Sequence, residues 1–229
     1  MTTQFKFRLF ILLPILLLSI DTFARAGGGG GGGGKGGGVI GLILWGIYTL
    51  VVSIILFFKV GKSKKITRMS AAQDSFWNFD QMRDHAKQVF FKMQEAWMNR
   101  DIDSVKHIIT PRLYEDYKTQ LETMKSIGEK NILSGIYVSN VKIIGCEDYL
   151  DNSYDSYIAH IKGDMLDYTI NEQTKEVIKN QEKENERFTD TYHFIRKDNQ
   201  WLLDHIDNKV SIWDLINTRN YHEEQISNR

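Results

Sequence analysis

Between Val39 and Phe58 the chain runs for 20 residues without a charge, VIGLILWGIYTLVVSIILFF. A helix rises about 1.5 Å per residue and a bilayer's hydrocarbon core is about 30 Å thick, so this run is just long enough to cross it. Only Thr49 and Ser53 interrupt it, and their hydroxyls can bond to the preceding helical turn. Core helices of soluble proteins seldom extend this far without a charged face. Residues 39–58 therefore read as a transmembrane helix.

Charge is distributed around that span. The 229 residues carry 29 basic and 29 acidic side chains, a formal net charge of zero. The zero hides a division: residues 1–68 hold nine basic residues and one acid, so this part is +8 and the remainder −8. Lys59, Lys62, Lys64, Lys65 and Arg68 follow the span directly, in a basic juxtamembrane segment over residues 59–69, whereas only Lys35 lies in the 12 residues before it. The positive flank stays inside. The expected topology is a single pass through the inner (cytoplasmic) membrane with the C-terminal domain in the cytoplasm. The basic cluster should also hold this segment near anionic headgroups, at about 1 kcal/mol per residue close to the surface. The lipid bilayer is thus the first expected partner.

Ahead of the span, Lys6 and Arg8 precede a 12-residue apolar run from Leu9 to Ile20, closed by Ala24-Arg25-Ala26. That is the form of a secretory signal peptide over residues 1–26, too short to span. Residues 27–38 are eleven glycines and Lys35, a flexible linker by composition. Gly29, Gly34 and Lys35 have phosphate-loop spacing, but Gly36 stands where a Ser or Thr should hold magnesium, and no strand precedes it. The single cysteine, Cys146, excludes an intrachain disulfide framework.

Residues 70–229 suffice for one globular domain. Phe76, Phe79, Met82, Ala86, Val89, Met93 and Ala96 recur at helical steps, with Trp77, Phe90, Phe91 and Trp97 broadening the apolar face. Asp101 is placed to cap a short helix burying Ile102, Val105 and Ile109. Thr110-Pro111 opens another, with Leu113, Tyr117, Leu121 and Met124 as its stripe and a stop near Gly128. The pattern then changes to strands over 132–146, 154–169, 187–197 and 200–207, with Asp198-Asn199 a hairpin turn and Asn171 to Asn185 an exposed loop. The tail from Ser211, with Ile212, Leu215, Ile216 and Ile226, reads as one more helix. Helices followed by antiparallel strands give an α+β fold.

Phe188, Asp190, Tyr192, Phe194 and Arg196 alternate, so all five project from one face of a strand. That face reads either as a pocket with an apolar floor and polar rim, to which Tyr157, Ile161 and Met165 contribute, or as a core face with Asp190 and Arg196 satisfied at its two ends. Catalytic groups do not converge. His193 and Asp190 point to opposite faces, as do Asp204 and His205, and His160 has no evident orienting partner. His222-Glu223-Glu224 lacks the second histidine of a metal site. No catalytic residue, cofactor or metal is assigned, and a domain of net −8 would repel nucleic acid.

Gln94, Ala96 and Trp97 with Asp101, Leu113-Tyr114, Asn131, Asp167-Tyr168, the Phe188 to Arg196 alternation and Trp201 resemble one known family. The resemblance is to the C-terminal domain of the mitochondrial import-motor anchor, the TIM forty-four-like domain, over about Phe76 to Ile206. This chain carries Asp190 and Tyr192 where the family usually has Glu and Trp. The resemblance implies helices packed on a curved antiparallel sheet, a cone like that of nuclear transport factor two, and binding at a membrane face. The expected function is a membrane-anchored adaptor that recruits an unidentified protein partner or client, in membrane-protein biogenesis or transport. The alternatives are an apolar ligand, such as a lipid, in the cone and, behind both, a dehydratase-like or isomerase-like pocket enzyme.

Overall fold

Short polar residues, Asn78, Asp101, Thr110 and Ser211, set where the helices of the folded domain begin. The computed structural model describes residues 39–223; the signal segment, the glycine-rich linker and Ile226 lie outside the described residues. Helix α1 spans Val39–Ser70. Asn78 caps α2 (Phe79–Asn99) by accepting from the Gln81 N–H, so the helix starts at Phe79 and Phe76 lies in the turn before it. Asp101 caps a 3-10 turn (Ile102–Val105), and Thr110 caps α3 (Pro111–Ser126). Gly128, at φ +72°, ends the helical region.

The strands are β1 (Glu129–Glu147), β2 (Ser156–Asn171), β3 (Val177–Lys179), β4 (Asn185–Lys197), β5 (Gln200–Asp207) and β6 (Asn220–Tyr221), with α4 (Ile212–Asn217) ahead of the last. Their order is β5-β4-β2-β1-β6, with β3 on β2. All pairs are antiparallel except β1–β6. Register shifts in β1 after Ser134, Val138 and Ile143, and one in β5 where Asp204 is the extra residue opposite His193 and Phe194, bend the sheet into a strongly curled half-barrel. Gly163 permits the tightest approach, because a Cβ there would fall 2.1 Å from the Tyr137 carbonyl oxygen. The turn between β4 and β5 is the hairpin expected at Asp198-Asn199, both at positive φ.

Two expectations change. The segment from Asn171 to Asn185 is not all loop: β3 pairs with β2, and the Asn180 side chain donates to the Asp167 carbonyl at 2.8 Å. The tail helix stops at Asn217 because Asn220 is drawn to the sheet, its side-chain oxygen accepting from the Cys146 N–H and its amide donating to the Ile144 carbonyl.

The described chain divides between Ile55 and Leu56. Before the division lies only the apolar part of α1, where Leu42, Trp45 and Leu50 are 71%, 59% and 60% exposed. One helix among the described residues has the length and composition to cross a membrane, and it is this one. After the division, the inner face of the sheet packs on α2 and α3 around Phe90, Tyr157, Tyr192 and Phe194. Ile144, Leu202, Ile212 and Leu215 are buried apart from that core. The tail crosses β1 at Gly145, where a Cβ would meet Thr218.

Candidate functional site

From Leu56 onward α1 keeps a buried stripe: Leu56, Ser63, Ile66, Thr67 and Ser70 are buried, at helical spacing. Three of these are small hydroxyl residues, and each finds a partner on the sheet or just past the end of β1. Ser63 Oγ donates to Asn220 Oδ1 at 2.8 Å, Thr67 Oγ1 lies 3.4 Å from Cys146 Sγ, and Ser70 Oγ donates to Asp148 Oδ2 at 2.6 Å. Burial pushes the Cys146 thiol up to about 12. Of the basic flank, Lys62, Lys64, Lys65 and Arg68 are exposed, with Lys64 Nζ 5.3 Å from the Phe79 ring centre. Lys59 turns instead into the folded unit, its Nζ donating to the Ile216 carbonyl at 2.7 Å and to the Thr218 carbonyl.

Where α1 ends, a buried charge cluster begins. Arg196, at the end of β4, pairs with Asp74 and, at 3.1 Å, with Asp155, which is fully buried. Its second terminal nitrogen donates to Asn199 Oδ1 at 3.2 Å, and its guanidinium lies 4.1 Å from the Phe76 ring centre. Asp155 also accepts from the Tyr149 N–H. Next to it, Asp148 bonds Ser70 and faces His222 Nε2 at 3.4 Å. Burial raises Asp155 to about 6, against the hydrogen bonds from Tyr149 and Arg196. Asp148 is raised, chiefly by burial. Burial would raise Asp74 also, but hydrogen bonds from the Phe76 N–H and Arg196 hold it below its ordinary value.

Beside the cluster opens a cleft of about 640 Å³, walled by Phe76, His85 and Trp201, with Gln81, Asn199 and Gln200 offering amide groups. The aromatic wall is fixed from behind. Trp201 contacts Phe76, Trp77 and Tyr157 at ring-centre distances of 5.0, 5.3 and 4.9 Å. His85 Nδ1 and the Tyr157 hydroxyl are 2.8 Å apart, and burial lowers the imidazole to about 4, so it is neutral at physiological pH.

Phe188, Asp190, Tyr192, Phe194 and Arg196 do share one face and all are buried. Tyr157 and Ile161 stand opposite Phe194 and Asp190, with Met165 further along the same strand. The face is a core face and not a pocket floor. Phe90 stacks on Phe188 at 5.1 Å, Tyr157 stacks on Phe194 at 4.5 Å, and Gln94 donates to the Tyr192 hydroxyl at 3.1 Å. Phe90 and His85 of α2, with Tyr157 of β2, fill the space that a ligand would need. Of these eight residues only Arg196 lines the cleft. The possible pairing of Asp190 with Arg196 gives way to Asp74 and Asp155, which reach the guanidinium first. Asp190 sits by Tyr117, whose hydroxyl is raised to about 12, mainly by burial.

Sequence reasoning missed the docking stripe, although Ser63, Thr67 and Ser70 at steps of four and three among lysines were its signal. It also missed Asp74, Asp148 and Asp155, which carry no local signature.

A family model described as the Tim44-like domain matches residues 63–220. No curated protein matches the sequence. Among solved structures the chain is similar to the intermembrane space region of chloroplast protein ARC6, at 9% identity over 56% of this chain and 97% of that one, with a TM-score of 0.40.

Proposed function

This chain belongs to the Tim44-like domain family, and from that premise we propose that it is a membrane-anchored adaptor whose domain recruits a protein partner or client to the cytoplasmic face of the inner membrane, in membrane-protein biogenesis or transport. The observation that carries this reading is the position of the boundary. The folded unit begins at Leu56 and the uncharged run ends at Phe58, so no linker separates anchor from domain. Such a connection keeps whatever the domain binds close to the bilayer. Upstream, residues 1–26 act as the signal segment and residues 27–38 as the linker on the far side of the membrane.

The cleft at Phe76 and Trp201 is the docking site in this reading. Aromatic walls held by a rigid core, with amides at the rim, suit a peptide segment that offers an apolar side chain and its own backbone hydrogen bonds. The apolar-ligand alternative has the filled sheet face against it, and the pocket-enzyme alternative has Asp190 buried at 3% exposure and outside the cleft.

A photo-crosslinking residue at Gln200 in the full chain, in cells, tests the site. Adaptor function predicts a discrete set of protein adducts that is absent when the crosslinker is at Ile127 and absent when Trp201→Ala accompanies it. Identical adducts from both positions would rule the cleft out as the docking site.

A further inference from the structure

Helix α4 has six residues, too few to persist alone in water. Its first end is fixed by a reciprocal capping box between Ser211 and Asp214. Its last carbonyls are held by Lys59, which donates to Ile216 and Thr218. Ile212 and Leu215 are buried, while Trp213 and Ile216, three residues apart and so on one face, are 44% and 39% exposed.

The residue that holds α4 locates that face. Lys59 follows Phe58 directly, and Phe58 is the last residue of the uncharged run. Phe57 and Phe58 are themselves 74% and 65% exposed. The Trp213 and Ile216 pair therefore lies one lysine side chain from the residue that follows the uncharged run. Tryptophan favours this depth, where its ring meets acyl chains and its N–H meets headgroups. Asn217 and Arg219 follow as polar neighbours.

We propose that α4 is an interfacial foot: Trp213 and Ile216 rest in the headgroup boundary of the bilayer around the span, and Lys59 ties the foot to the anchor helix. The occupant of this face is lipid. The foot gives the domain a second membrane contact besides its covalent one, and so restricts rotation of the domain about the anchor. The proposal rests on reading residues 39–58 as a membrane span.

The test uses the full chain reconstituted in vesicles of phosphatidylethanolamine and phosphatidylglycerol, with an environment-sensitive fluorophore on single introduced cysteines. Cys146 is fully buried and does not compete for the label. Labels go on Trp213→Cys, Ile216→Cys, Leu50→Cys in the span, and Ile127→Cys, which is exposed and beside the far end of β1. A headgroup-proximal nitroxide lipid should quench the labels at 213 and 216 several-fold more than the label at 127, and a deep nitroxide lipid should quench the label at 50. Adding Lys59→Met should reduce quenching at 213 and leave it unchanged at 50. Quenching at 213 and 216 no greater than at 127, with the label at 50 quenched, overturns the foot and leaves the span standing. No quenching at 50 overturns both. The two foot positions are read independently, so a variant that fails to fold at one leaves the other to decide.

Discussion

The two halves of helix α1 share a backbone and little else. From Gly41 to Phe58 the side chains are uncharged and mostly exposed, with Leu42 71% and Phe57 74% accessible. From Lys59 to Ser70 the composition is more polar, yet it is this half that is buried along one stripe, through Ser63, Thr67 and Ser70. A hydrophobicity profile places them the other way round. The difference teaches that apolar content marks where the solvent changes to lipid, whereas periodicity of small residues marks where a helix packs against protein. In the docked half, hydroxyls are buried because Asn220 and Asp148 receive their hydrogen bonds, and a satisfied polar group need not cost stability.

The hardest blow to the docked half is loss of the charge that organises its end. Arg196→Met should leave Asp155 buried without its cation and cost about 3–5 kcal/mol of stability; thermal unfolding of the detergent-solubilised chain reads this, and no change would show that the cluster carries no weight. The matching blow to the other half is Leu50→Arg, expected to cost about 3 kcal/mol of membrane insertion. It should shift the chain toward the soluble fraction in a membrane-flotation assay while the folded unit melts unchanged. The comparison sharpens with one substitution made in each half. Ile66→Ala, at a buried position, should lower stability by about 2–4 kcal/mol, whereas Ile54→Ala, 47% exposed, should stay within about 0.5 kcal/mol.

Acid separates the halves most gently, since the span has no Asp, Glu or His to titrate below neutral pH. His85 and His160 are each lowered to about 4, chiefly by burial. An unfolded chain takes up these protons near its ordinary imidazole value and the folded chain does not, so their stability is complete above about 6.5 and lost as pH falls toward 4. Asp155, raised to about 6, acts in the opposite sense: protonation below that value favours the folded state. The imidazoles are two and their shifts larger, so lowering pH from about 7 to about 5 should destabilise the folded unit by roughly 1–2 kcal/mol. Asp155→Asn should remove the offset and steepen the loss, measured by denaturant titration at the two pH values.

Much of the fold was legible from local chemistry. The α2 stripe, the Thr110-Pro111 start, the Asp198-Asn199 turn and the alternation from Phe188 to Arg196 each depend on residues a few positions apart, where propensity and spacing act directly. What escaped reading depends on distant partners. Arg196 meets Asp155 across 41 positions and Asp74 across 122, and no local pattern selects those acids over Asp190. Val177 and Asn220 join the sheet through two- or three-residue strands that no period reveals. Filling of the expected pocket was illegible for the same reason, since Phe90 reaches Phe188 from another element.

The account stands on the docked half of α1 being part of the folded unit, with nothing loose between anchor and domain. Amide hydrogen exchange on the full chain in lipid nanodiscs measures this directly. The account predicts that amides from Ser63 to Ser70 exchange as slowly as those of α2 from Met82 to Met93. Exchange of that segment at the rate of an unstructured juxtamembrane linker, while α2 stays protected, would contradict it.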